Sequence, residues 1–211
     1  MAMGTFSAEP QTEWVSGTRA APDRNMTLLR DFAFTDPDGR VWPAPAGSVI
    51  DGASIPQFLW SHVGSPYTGC YRRASIVHDV ACDNVAVNRS EADSMFYHAC
   101  RAGGCSIPDA WTLYAGVRIG AGFSAKQLKI AAVRPGIAPT GAAANIVTSG
   151  RRAFLRATRA AARDGYRRPF AEIAAQIDAE IAASRRASSR RAIAAGNRPV
   201  KVSKKRSKKV K

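Results

Sequence analysis

Two periodicities divide the first half of the chain. Between residues 28 and 50 the apolar positions alternate with polar ones or form short runs closed by turn residues. Residues 28–34, 40–42 and 48–50 read as strands. The segment Thr35-Asp36-Pro37-Asp38-Gly39 is turn chemistry: Pro presets φ and Gly takes the positive-φ position. Ala44-Pro45-Ala46-Gly47 is a second turn. The pattern predicts a small antiparallel β-meander.

From residue 56 the period becomes helical. Ser54-Ile55-Pro56 resembles a helix start, with one or two turns over residues 56–62. Residues 70–85 carry Ala74, Val77, Ala81 and Val85 on one face. Ser90-Glu91-Ala92-Asp93 has the spacing of a capping box, and its helix runs to about Arg101 before Gly103-Gly104. Ser106-Ile107-Pro108-Asp109 opens a third helix that reaches about Gly120. The expected fold is α+β: residues 26–124 as a meander followed by a three-helix unit, after a flexible lead-in over residues 1–25. Residues 125–150, rich in Ala, Pro, Gly and Thr, read as a linker. Residues 151–196 read as a helical extension with Phe170, Ile173, Ala174, Ile177 and Ile181 in one stripe, and residues 197–211 as a disordered basic tail.

The charge follows the same division. The net charge is +15, yet residues 1–124 hold 9 Lys+Arg against 12 Asp+Glu, and residues 125–211 hold 22 against 4. A mildly acidic module therefore precedes a basic extension. The 45% apolar content suffices for a core and excludes a wholly disordered chain. No apolar run is long enough for a transmembrane helix, and the first residues lack the basic start and apolar stretch of a secretory signal. The expectation is synthesis in the cytoplasm, with association with a virion or delivery to the envelope by a route other than that signal. Cys70, Cys82, Cys100 and Cys105 form no Cys-x-x-Cys pair, which disfavours a zinc ribbon or thioredoxin motif. Two disulfides and four reduced thiols both stay open.

His78-Asp79 is the pair that carries chemistry. A histidine titrates near pH 6.5 and so serves as a general base. The next residue, about 100° round a helix, faces elsewhere and suits a cation or an orienting hydrogen bond. If the helices bearing His78 and Asp93 form an antiparallel hairpin, Asp93 lies opposite the imidazole and fixes its tautomer. The alternative is a plain buried polar network. Asp51, between a strand and Gly52, is either an Asx-type cap or a second acid of the same cleft. Ser54 suits a helix cap better than a nucleophile, since the G-x-S-x-G elbow is absent.

Residues 48–60 (SVIDGASIPQFLW), residues 64–79 (GSPYTGCYRRASIVHD) and Ala92-Asp93 with Phe96 resemble, in order and spacing, a phage- and prophage-associated family, the domain of unknown function 1353. The resemblance covers about residues 26–122 and implies no activity by itself. The His-Asp pair followed by A-D-x-x-F is also similar to the phospholipase A2 core. That likeness implies His78 and Asp93 as catalytic base and orienting acid, Asp79 as a Ca²⁺ ligand, and residues 64–69, with Gly64 and Gly69, as an ion loop donating carbonyl oxygens. Three features depart from it: the loop lacks G-x-G, Cys82 stands where that family has a tyrosine, and the stretch from loop to histidine is short. Helix-to-helix disulfides, Cys82 with Cys100 and Cys70 with Cys105, would follow the same likeness, among three possible pairings.

The implied function is a phage- or prophage-type hydrolase of membrane lipid esters, serving envelope passage or acting as a toxin. Two alternatives stand beside it: a non-enzymatic phage structural or accessory protein that contacts particle components, and another metal-dependent hydrolase, such as one of the cell wall. In the tail, Lys201, Lys204, Lys205, Arg206, Lys208, Lys209 and Lys211 suit an anionic membrane surface or nucleic acid.

Overall fold

The computed structural model describes residues 3–16, 25–52, 55–64, 69–123, 127 and 138–194, of which 188–194 are described by their backbone. It is an α+β fold. Six short strands, β1 (Thr5–Phe6), β2 (Thr12–Trp14), β3 (Met26–Leu28), β4 (Phe32–Thr35), β5 (Val41–Ala44) and β6 (Val49–Ile50), form two antiparallel three-stranded sheets, ordered β1-β4-β5 and β2-β3-β6. The two sheets are halves of one bent ribbon. Residues 5–14, 26–35 and 41–50 run side by side, and pairing shifts from one sheet to the other near Pro10, Asp31 and Pro45. Asp31 Oδ1 accepts the Ala46 N–H at 2.9 Å at that bend. The predicted turn is present: Gly39 has φ 83, and Asp36 Oδ1 accepts the N–H groups of Asp38 and Arg40.

One expectation is corrected here. The described part of the lead-in is an edge strand of both sheets, because Phe6 stacks on Phe32 at 5.6 Å and on Phe34 at 5.0 Å. A polar stretch with few apolar residues hides this, since one aromatic side chain suffices to dock it.

A single 3₁₀ turn (Gln57–Leu59) leads into α1 (Trp60–Val63), then α2 (Arg72–Asp83), α3 (Arg89–Ala102) and α4 (Ile107–Gly120). Alternating residues of the ribbon, Leu28, Phe32, Phe34, Trp42, Ala44 and Ile50, are buried, and β4, β5 and β6 pack against α2. Helix α3 packs beside α2, and α4 beside α3. Its cap is Asn88, whose side chain accepts the Ser90 N–H, so Ser90 and Asp93 are not a capping box. That frees Asp93 to point inward. Ser106 caps α4 as expected.

A second correction concerns the linker. Helix α5 (Gly141–Ala162) begins ten residues before the expected boundary, and α6 (Phe170–Ala194) follows a short 3₁₀ turn (Arg163–Tyr166). Both belong to the same core as the module: Val147, Phe154, Ala157, Ile173, Ile177 and Ile181 are buried with the residues of α2–α4. Gly150 lets α5 approach closely, since a Cβ there would lie 2.5 Å from the Phe58 ring. Phe170 anchors α6 by stacking on Trp111 at 5.2 Å and against Tyr97 at 5.0 Å. An Ala-rich composition masks the start of α5 from a periodicity reading, because small residues on every face leave no contrast. No helix among the described residues is long and apolar enough to cross a membrane.

Cys70 and Cys105 form a disulfide across 35 residues, joining the start of α2 to the loop before α4. Cys82 and Cys100 are free thiols. One half of the expected helix-to-helix pairing is therefore present and the other is absent.

Candidate functional site

Helices α2 and α3 are joined by residues 84–88, and the short connection turns the chain back so that His78 and Asp93 meet. His78 Nε2 lies 2.8 Å from Asp93 Oδ1, and both side chains are fully buried. The Phe96 ring packs on the imidazole at 4.7 Å. Burial lowers the histidine pKa, and the Asp93 hydrogen bond opposes that without overcoming it. The imidazole is neutral at pH 7. An ionised carboxylate only accepts, so Nε2 carries the proton and donates it to Asp93. The basic lone pair then sits on Nδ1, with the Cys82 thiol 3.8 Å away. Burial pushes that thiol's pKa up to about 12, so Cys82 is a neutral neighbour and no thiolate nucleophile.

Asp93 is held from three sides. Arg89 Nε donates to Oδ1 at 3.0 Å, and Arg118 Nη1 donates to Oδ2 at 3.0 Å. Burial alone would raise the carboxyl pKa; the hydrogen bond from His78, with the charges of Arg89 and Arg118, turns the balance and holds it below the ordinary value. Arg118 is in turn gripped by Asp178 of α6, Nε to Oδ1 at 2.8 Å and Nη2 to Oδ2 at 2.9 Å. Such a fork-to-fork pair fixes the guanidinium plane. The extension thus reaches the histidine through Asp178, Arg118 and Asp93.

Asp79 faces the other way. Its Oδ2 accepts the Gly52 N–H at 2.8 Å, and its buried Oδ1 has no hydrogen-bond partner. Burial first, then the charge of Asp51, pushes its pKa well above the usual carboxylate range, against the backbone N–H groups of Gly52 and Asp51. Asp51 directly precedes the Gly52 N–H that Asp79 accepts, and its charge reaches this carboxyl. Among oxygen donors, Asp79 Oδ1 and the Asp51 carboxylate suit a hard cation such as Ca²⁺, which would relieve both the orphaned oxygen and the acid–acid repulsion.

Gly64 and Gly69 do not join that set. They line a separate cleft of about 270 Å³ with His62, Tyr71, Asp109 and Leu113. Gly69 precedes α2 and Asp79 lies two turns into it, so roughly 10 Å of helix separates them. Gly52 stands at Asp79 where the ion loop was expected. His62 and His98 belong to ring contacts with Phe154 and Phe170 and stand apart from His78. Ser54 and the tail residues 200–211 lie outside the described residues.

Four residues of this network escape a sequence reading: Gly52, Arg89, Arg118 and Asp178. Arg118 had a signal, a lone charge in the apolar run Gly116-Val117-Arg118-Ile119-Gly120. Arg89 stands four residues before Asp93, the helical ion-pair spacing. Asp178 lies 60 residues from Arg118, and no local pattern announces a contact at that range.

Two curated relatives from Sinorhizobium fredii (strain NBRC 101917 / NGR234) match the chain. Uncharacterized protein y4jT is 41% identical over 101 residues, 48% of this chain and 29% of that protein. Uncharacterized protein y4iH is 37% identical over 93 residues, 44% of this chain and 39% of that protein. The matched stretch thus spans less than half the length of either relative. No solved structure matches the chain. The family model described as "Protein of unknown function (DUF1353)" matches residues 26–117, the stretch that carries Asp51, His78, Asp79 and Asp93 and stops one residue short of Arg118.

Proposed function

We propose that the chain is a phage- or prophage-type hydrolase that cleaves membrane lipid esters with His78 as general base. One observation carries the reading: Nε2 of His78 is tied to Asp93 at 2.8 Å, which leaves the lone pair on Nδ1 of a neutral imidazole. In this reading Nδ1 takes a proton from water as the water attacks the ester carbonyl. Asp93 stabilises the imidazolium that forms, and Arg89 and Arg118 keep Asp93 ionised through the cycle. Asp79 and Asp51 would hold a Ca²⁺ ion, which supplies electrostatic stabilisation of the developing oxyanion. Asp79 would release its proton when the ion binds, so calcium affinity rises with pH.

The complete burial of His78 and Asp93 favours a second reading. The chain is then a non-enzymatic phage structural or accessory protein, the network holds α2, α3, α4 and α6 together, and the tail engages nucleic acid or an anionic membrane.

Calorimetric calcium titration of the full chain and of Asp79→Asn, with ester release from phosphatidylglycerol vesicles with and without chelator, separates the two. The hydrolase reading expects a calcium site lost in Asp79→Asn, and ester release abolished by chelator and by His78→Gln. Folded protein with no calcium binding at millimolar concentration and no ester release overturns it and leaves the structural network.

A further inference from the structure

The extension carries a surface that the His78 network does not use. Helix α5 and its cap contain Arg151, Arg152, Arg156, Arg159 and Arg163, and no acidic residue falls between Gly141 and Arg163. At about 100° per residue, Arg152, Arg156, Arg159 and Arg163 fall within an arc of roughly 60°. All four are exposed, and none forms an ion pair among the described residues. The opposite face is occupied. Val147, Gly150, Phe154, Ala157 and Ala161 are buried in the core, and Arg151 is tied by its Nε to the Phe58 carbonyl at 3.2 Å. The stripe is therefore a rigid row of cations about 17 Å long, standing on a helix that cannot turn over.

We infer that this face of α5 is a binding site for the phosphate backbone of duplex nucleic acid. Its charge is complementary to a polyanion. A duplex presents one negative charge per about 1.7 Å of axis, so a row of this length runs beside about ten of them. Arginine, with its planar fork, suits a phosphate better than a point charge does. A lipid surface fits the face less well, because an interfacial helix sinks an apolar face into the bilayer and the apolar face of α5 is already committed to the core. Leu155, 43% exposed, is the large apolar side chain that α5 shows to solvent. The site lies in the folded part of the chain and is distinct from the lysine-rich tail. It is also independent of any hydrolase activity, since none of its residues touches His78, Asp79 or Asp93.

The test is fluorescence anisotropy of a labelled 20-base-pair duplex with the full chain, across a salt series, for the natural sequence and for R152Q/R156Q/R159Q/R163Q. Circular dichroism and thermal melting establish that the variant is folded; four exposed Arg→Gln changes leave the core intact. Each phosphate neutralised contributes about 0.9 to the slope of log K against log salt, so loss of all four lowers the slope by about 3 to 4. The expected result is that fall, with weaker binding at every salt concentration. A folded variant with unchanged slope and affinity overturns the inference and assigns any binding to the tail. Arginine-dependent capture by phosphatidylglycerol vesicles, with no binding to the duplex, overturns it in favour of a membrane.

Discussion

Asp93 and Asp79 lie on the two arms of one helical hairpin, and their surroundings drive them to opposite states. Asp93 is fully buried and accepts from His78, Arg89 and Arg118, so it stays ionised below the ordinary carboxyl pKa. Asp79 is nearly as buried but meets only backbone N–H groups and no cation, keeps one oxygen unpartnered and faces a second acid, so it holds its proton well above that range. Burial is common to both. The difference lies in the number of donors each meets: burial penalises a charge only until enough donors and counter-charges replace water. The hairpin thus keeps a permanent anion behind the imidazole and, at Asp79, a carboxyl that ionises only when something positive arrives.

The most direct way to break this comparison is to neutralise each acid in turn. Asp93→Asn leaves two arginines and a histidine facing a neutral amide in a dry interior. Breaking a buried pair from one side costs about 3–5 kcal/mol, so urea unfolding is expected to show a loss of that size. Asp79→Asn keeps an oxygen for the Gly52 N–H and removes the repulsion with Asp51. Its expected effect at pH 7 is a gain in stability, because the folded chain holds a proton on Asp79 that the unfolded chain releases at about pH 3.9. Equal losses in the two variants would show that burial, and not donor count, governs these carboxyls.

Arg118→Gln is the next largest effect. It removes one of two charged donors from Asp93 and leaves Asp178 without its fork, but His78 and Arg89 remain. A loss of about 2 kcal/mol is expected, since hydrogen bonds to charged groups contribute about 1.5–3 kcal/mol. Asp178→Asn, half-exposed at its carboxylate, is expected to lose 1 kcal/mol or less. Chemical denaturation of both variants checks the order. If Asp178→Asn matches Arg118→Gln, the extension and not the module carries the network.

The hairpin was legible because its parts are local. His78 and Asp93 sit 15 residues apart on two patterned helices, with Asp79 next to His78, and the short connector fixes which faces meet. The ribbon was legible for its second and third segments, where alternation is strong, and missed for its first, where Phe6 alone marks the inner face. Gly64 and Gly69 were drawn to Asp79 by likeness to a phospholipase loop, and the chain instead brings Gly52 there from the end of β6. Arg118 and Asp178 depend on α6 returning across α4. Sixty residues of intervening chain leave no spacing to read, and the family segment itself stops at residue 117.

Acid and base titration sharpens the comparison by sign. His78 has a folded pKa below its unfolded value near 6.5, so its contribution to stability is present above that pH and lost as pH falls below it. Asp93, depressed, contributes above its unfolded value near 3.9 and loses that as pH falls through its folded pKa. Asp79 runs the other way. Its raised pKa contributes stability at low pH that is lost as pH climbs through the folded value. The natural chain is therefore expected to fall behind Asp79→Asn as pH rises, and thermal melts at successive pH values between 5 and 9 should show the gap widening. A constant gap would mean that Asp79 is already ionised at pH 5 in the folded chain, as it is in the unfolded one, and would remove the contrast with Asp93.

The smallest expected effect is at Cys82. Its thiol stands 3.5 Å from His78 Nε2 and 3.8 Å from Nδ1, too long for a strong bond, and it is half-buried. Cys82→Ser substitutes a firmer hydrogen-bond donor for a weak one at the same place. If the Nδ1 lone pair is the basic site of the imidazole, the serine hydroxyl engages it and moves the histidine pKa further down, with a change in stability below about 1 kcal/mol. NMR titration of the His78 ring protons reads this directly. A histidine whose titration does not move, or moves up, would place the ring proton on Nδ1 and remove the basis for His78 as a base at that nitrogen.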